Sequence, residues 1–207
     1  MSKKIVLRDK IKEQLLFQIH QGDLAIGKTI NLAALSRETG ISVTPIREAL
    51  SQLEQVGAIC AVPNRGFMVS KLSKKEIHEL IATLSQLEVM ALEQSNLESM
   101  DLDELAHLQQ QMTLTGEIRE RLQLRFKFHD CLTQNCNNSV LVQLINDLRL
   151  RLRFYEYQLV NELAFFEKMD QQTHAIVHAL LDDNLPTASL ILKMHWLYVE
   201  EYLNGKL

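Results

Sequence analysis

"ISVTPIREALSQLEQVGAICAVPNRGFMV", residues Ile41–Val69, passes from a turn into a helix and then into two short extended pieces. Ser42 or Thr44 can cap the helix, and Pro45 sits in its first turn, where a missing N–H costs nothing. Ile46, Leu50, Leu53 and Val56 fall on one helical face, which ends at Gly57. The following "AICAVPNRGFMVSKL" reads as two short strands joined at Pro63-Asn64-Arg65-Gly66. Upstream, Leu7–His20 carries apolar residues at 7, 11, 15, 16 and 19, a helical period. Asn31 can cap a short helix through Leu32, Leu35 and Glu38, stopped by Gly40.

Helix, short helix, turn, helix, hairpin is the order of a winged helix-turn-helix: three helices plus a β-hairpin wing. Beyond Ser73 the texture changes. "LSKKEIHELIATLSQLEVMALEQS" reads as one amphipathic helix, with Ser73 as N-cap and Glu76 at the capping-box position. Further helices are expected from Asp101 to Met112, Glu117 to Gln134, Val140 to Leu163, Lys168 to Leu181 and Pro186 to Tyr202. The break at Asp183-Asn184-Leu185-Pro186 is the clearest, and no strand pattern competes. The expected fold is therefore mainly α. A winged helix-turn-helix over 1–73 precedes an all-α bundle of about six helices over 74–207.

Hydrophobic content of 46% and charged content of 23% place the 207 residues among ordinary globular chains, long enough to bury a core. Cys60, Cys131 and Cys136 are an odd number without metal-knuckle spacing, so a disulfide framework has no support. No run approaches the ~18 apolar residues of a membrane span, and "MSKKIVLRDKIKEQLL" lacks a signal-peptide core. A cytoplasmic location with no membrane partner is expected.

The net charge of -4 hides an asymmetry. Residues 1–75 hold 12 Lys/Arg against 6 Asp/Glu, and the remainder holds 10 against 20. A basic head on an acidic body suits a partner such as double-stranded DNA. In a helix-turn-helix the second helix enters the major groove with its N-terminal residues at the base edges. Arg47, in the first turns of that helix, can take guanine O6 and N7 as a bidentate pair. Thr44 can meet a phosphate or a thymine methyl. Arg65, beside Gly66 at the hairpin tip, can enter a minor groove or meet a phosphate. Ser42 and Asn64 complete the expected DNA-binding set.

"LAALSRETGISVTPIREALSQLEQVGAICAVPNRGFMVSKLS" resembles the reader head of the GntR family of bacterial transcription regulators, with the "TPIREAL…LE…G…PNRGF.V" frame matching nearly position by position. The downstream helices resemble the FadR-type effector domain, commonly called FCD. The resemblance implies a homodimer on a palindromic operator, released or reshaped by a small organic ligand in the helical domain. One departure lies in the head: many members carry an arginine directly after the serine of the turn, where this chain has Val43.

The family also implies a divalent metal, such as Zn or Ni, held by an Asp and a His four apart on one helix plus two His from the last two helices. The metal then holds a carboxylate effector. Here "RFKFHDCL" places His129 at the histidine but Arg125 at the aspartate. "THAIVHAL" places Thr173 at the next histidine, with His174 one place on, and "MHW" supplies His195. A guanidinium cannot ligate a metal, yet it can grip a carboxylate with two parallel hydrogen bonds. Three readings stand: Arg125 anchors an anionic effector with His129 and His195 as walls; Arg125 pairs internally and the pocket is vestigial; or a metal survives on His129, His195 and either His174 or His178. Arg149 and Arg153, one turn apart, are further effector candidates.

Two other function classes are weighed. An architectural DNA binder would use the body only to dimerise. A metal-dependent enzyme would need a nucleophile or activated water with a positioned base. The chain has no Gly-rich phosphate loop, nucleophile elbow or Ser-x-x-Lys, so an enzyme is not expected.

Overall fold

The structure is a computed structural model that describes residues 3–21, 23–63, 65–71 and 73–207. It separates into two compact units, 1–72 with 149–158, and 73–148 with 159–207.

The N-terminal unit contains α1 (Lys3–Gln21), α2 (Leu32–Thr39), α3 (Val43–Gln55), β1 (Ile59–Val62) and β2 (Gly66–Val69). Its core is the set the helical period selects. Ile11, Leu15, Leu16 and Ile19 of α1 meet Leu35 of α2 and Ile46, Leu50 and Leu53 of α3, all buried. Asn31 caps α2 by accepting from the Ala34 N–H at 3.0 Å. Gly40 ends that helix at φ 69, a left-handed conformation that glycine adopts without Cβ strain. The turn into α3 is clamped by the Ser36 hydroxyl, which donates to the Ile41 carbonyl at 2.6 Å.

β1 and β2 pair antiparallel, Ile59 opposite Val69 and Val62 opposite Gly66. The Arg65 N–H donates to the Val62 carbonyl at 3.0 Å, closing the turn between them. Residues 27–30 run along the other edge of β2: Gly27 N–H donates to Val69 O at 2.9 Å and Ile30 N–H to Phe67 O at 2.8 Å. The β1 edge is tied to α3, whose Glu54 carboxylate accepts from the Ala61 N–H at 2.8 Å.

The second unit holds α4 (Lys74–Glu93), a 3-10 turn at Leu97–Ser99, α5 (Leu102–Leu114), α6 (Ile118–Thr133), α8 (Ala164–Leu181) and α9 (Leu185–Lys206). The capping box at Ser73 and Glu76 forms with both reciprocal bonds. Asp101 caps α5, and Asn184 caps α9 with Pro186 in its first turn. The helices pack as a closed ring: α4 against α9, α9 against α8, α8 against α5, α5 against α6, and α6 back against α4. Leu84, Leu92, Leu105, Leu122, Phe128, Ile176, Leu192 and Val199 fill the interior.

α7 (Ser139–Leu159) belongs to both units. A simple division at 73/74 was expected, but residues 149–158 pack with the N-terminal unit. The Tyr155 hydroxyl donates to the Ser70 carbonyl at 2.7 Å, and the Gln158 side chain accepts from the Ile26 N–H at 2.6 Å. A run of arginines and aromatics on one helix carries no sequence sign of which unit it will pack on.

Candidate functional site

Two constellations stand out, one in each unit. In the N-terminal unit, α3 buries Ile46, Ala49, Leu50 and Leu53 and turns Val43, Thr44, Arg47, Glu48 and Ser51 to solvent. Arg47 and Arg65 line one cleft of about 650 Å³ together with Asn31, Leu32, Gly66 and Phe67. Gly66 has φ 87, which a side chain would strain, so the wing tip stays bare of a Cβ beside Arg65. Asn64 lies outside the described residues. Asn31 and Leu32, from the start of α2, join the cleft although sequence reading assigned them only a helix start.

Ser42 occupies the N-cap position of α3 but makes no side-chain capping bond. The reason is local. An N-cap hydroxyl usually accepts from the N–H two or three places on, and the third place here is Pro45, which has none. The expectation that Ser42 or Thr44 would cap α3 is corrected accordingly: Thr44 lies inside the helix, and both hydroxyls are exposed.

Inside the helical unit, α4, α6 and α9 bring four polar side chains into contact within the ring. Glu88, Arg125, His129 and His195 are each at most 2% exposed, and Arg125 is among the largest fully buried side chains of the molecule. One Glu88 carboxylate oxygen accepts from His129 Nδ1 at 2.9 Å and from Trp196 Nε1 at 2.8 Å. His129 Nε2 and His195 Nε2 stand 3.1 Å apart, and Arg125 Nε reaches His195 Nε2 at 3.4 Å. The Arg125 guanidinium also lies 5.1 Å from the Trp196 ring centre.

Donor counting assigns the protons. Arg125 can only donate, so His195 Nε2 accepts. His129 then donates to both Glu88 and His195, and the proton of neutral His195 sits on Nδ1. Burial holds His195 well below the ordinary histidine range, reinforced by the positive charges of His129 and Arg125. His195 Nδ1 is buried without a hydrogen-bond partner.

This set does not fit a divalent metal. The His195 lone pair a metal would need already accepts from Arg125, and His129 is engaged at both nitrogens. A guanidinium at that distance would repel a second cation. Thr173 is buried but returns its hydroxyl to the Met169 carbonyl at 3.0 Å. His174 is exposed on α8 with its ring 4.4 Å from His178, so the histidine set with His174 is not brought together. Among the described residues no group of three or more His, Cys, Asp and Glu side chains is arranged to hold a metal.

Arg149 and Arg153 lie on the stretch of α7 that groups with the N-terminal unit. Their spacing of one helical turn could not reveal that. Glu88 and Trp196, conversely, were not expected as site residues. A signal for Glu88 was present: it continues the apolar series Ile77, Ile81, Leu84 at a place where α4 should face the core. A carboxylate on a buried stripe needs a partner.

A winged helix-turn-helix unit and an all-helical unit in one chain are the parts of a DNA-binding transcription regulator. Residues 7–69 match the family "Bacterial regulatory proteins, gntR family" and residues 79–197 match the FCD domain. The chain belongs to the GntR family of bacterial transcription regulators, with an FCD domain as its body, and the family's members are regulators rather than enzymes. It is 28% identical over 186 residues to the HTH-type transcriptional regulator McbR of Escherichia coli, spanning 86% of this chain and 84% of that one. It is 32% identical over 154 residues to the uncharacterized regulator YdhC of Bacillus subtilis, spanning 70% and 68%. The HTH-type transcriptional repressor GlaR of Escherichia coli is 24% identical over 192 residues, spanning 86% and 87%. The solved structure of McbR superposes with a TM-score of 0.83 at 22% identity, covering 99% of both chains, and so shares the fold. No helix among the described residues is long and apolar enough to cross a membrane.

Proposed function

We propose that this regulator is a homodimeric repressor on a palindromic operator, controlled by a small carboxylate-bearing effector in its helical domain. The observation that carries the DNA half is the cleft lined by Arg47 and Arg65. Arg47 and Thr44 meet base edges in the major groove, while Arg65 and Gly66 meet the adjoining backbone or minor groove. Ser42, whose hydroxyl makes no capping bond, is the candidate for a phosphate contact, and Asn64 is kept in the same proposed set. Cytoplasmic action follows from that partner.

Dimerisation is supported by α9, which turns Leu190, Met194 and Leu197 to solvent at helical spacing. A second copy covering this stripe would set two heads on two half-sites. Sedimentation should give twice the 23.8 kDa of the chain. Met194→Glu with Leu197→Glu should return it to the monomer.

The effector half is supported by the buried Arg125 and by the partnerless Nδ1–H of His195, two donors that suit a carboxylate. His129 is a positioning residue in this reading, since both its nitrogens are engaged within the cluster. A set of small mono- and dicarboxylates screened by thermal shift should contain one that raises Tm and weakens operator binding. Arg125→Gln should abolish both responses.

The mutual bonding of Glu88, His129, His195 and Arg125 favours a second reading, in which the cluster is an internal brace and DNA binding needs no ligand. No Tm response across the carboxylates, with operator affinity unchanged, would select that reading.

A further inference from the structure

The first residue of α3 is Val43, a 37%-exposed aliphatic side chain on the face that the DNA-binding head turns outward. Taking about 100° per residue, Val43 and Arg47 lie about 40° apart on one stripe, with Thr44 and Glu48 further round. On the other side of Val43 the buried residues run from Leu50, about 20° away, through Ile46 and Leu53 to Ala49 at about 120°, so Val43 stands at the rim between the buried arc and the exposed one. It stands one turn nearer the helix N-terminus than Arg47, about 6 Å along the axis at ~1.5 Å per residue.

A helix that enters a major groove by its N-terminus presents these side chains to the base edges first. Valine has no donor and no acceptor, so opposite a polar edge it would strip water from that edge and return nothing. The major groove offers one apolar group, the C5-methyl of thymine.

We infer that Val43 is a specificity-determining residue that reads a thymine methyl in the operator half-site. The thymine lies one or two base pairs from the base read by Arg47, because ~6 Å of helix spans about two steps of ~3.4 Å. Thr44, about 100° round the helix, carries its own methyl and hydroxyl, and therefore serves as the control.

The test uses the full-length protein and a site selected from a pool of random duplexes. Each thymine of that site is replaced singly by deoxyuridine, which removes the methyl and nothing else. Wild-type protein should lose about fourfold in affinity at one thymine of the half-site, the value of burying one such group. Val43→Ala should bind the thymine and uridine duplexes equally at that position, while Thr44→Ser keeps the discrimination. Uniform affinity of the wild type across all uridine duplexes would overturn the inference, as would a Val43→Ala protein that still discriminates. If no duplex is enriched at all, the inference falls together with sequence-selective reading by this head; if one is enriched without methyl dependence, the inference falls alone.

Discussion

Arg47 and Arg65 face the same cleft from two different elements, and their chemistry separates what each should do. An arginine at base edges carries sequence information, whereas one at the backbone carries charge alone. Arg47→Ala should therefore weaken operator binding by ~1–3 kcal/mol and leave random-sequence binding nearly unchanged, as titration against both duplexes would measure. Arg65→Ala should instead flatten the plot of log affinity against log salt, because one fewer counterion is released. Equal losses on operator and random DNA for Arg47→Ala would make it a phosphate contact. The cysteines give a second test at this scale. Burial, with Asp101, Glu104 and Asp130 nearby, pushes the Cys131 thiol up to about 11, while Cys60 on β1 is half-exposed. The thiolate is the reactive form, so iodoacetamide at about pH 8 should label Cys60 first and reach Cys131 only on unfolding. Early labelling of Cys131, read by peptide mass, would contradict its placement.

At the scale of the element, helix ends were the most legible feature of this chain. Asn31, Ser73, Asp101 and Asn184 each accept from a first-turn N–H. Such caps act within four residues, so local sequence is enough to see them. At Ser73 the bonding is reciprocal: Glu76 accepts from the Ser73 N–H at 2.8 Å while the Ser73 hydroxyl accepts from the Glu76 N–H at 3.2 Å. Ser73→Ala should cost about 1 kcal/mol, seen as a lower urea midpoint at unchanged slope. An unchanged midpoint would mean that the N-terminus of α4 contributes nothing to the helical unit. Boundaries set by packing rather than caps were read less well. α8 begins at Ala164 rather than Lys168, because Phe165 and Phe166 are drawn into the core. α7 ends at Leu159 rather than Leu163.

For the whole molecule, the buried cluster sets a pH dependence whose sign can be worked out. Folded His195 takes up a proton far less readily than the unfolded chain, whose histidine titrates near 6.5. The unfolded state therefore binds more protons as pH drops through that value, and stability falls with it. The His195 contribution should therefore lower Tm between about pH 8 and about pH 5.5, a window kept above the carboxylate range. The neutral isostere His195→Asn should show a shallower decrease, since its side chain binds no proton in either state. Identical slopes for the two proteins would mean that His195 is not buried as the neutral form. Asp170 works in the opposite sense: burial raises it despite its 2.6 Å bond to Arg121, so its contribution grows as pH falls toward the carboxylate range. Working above that range keeps the two effects apart.

Periodicity, caps and the order of elements were enough to determine the winged head and an all-helical part after it, because each depends on residues within a turn or two of one another; the family was legible in the motif from Thr44 to Val69. That Arg47 is exposed was legible for the same reason: once α3 is placed, its exposed arc follows from which residues it buries. Only the tertiary structure decided the rest. Glu88, Arg125, His129, His195 and Trp196 come from three helices up to 108 residues apart and meet because the ring closes. It also leaves the side chain of His174 exposed on α8. Contacts of that range follow from how whole helix faces pack, and no local spacing encodes which charge will find which partner.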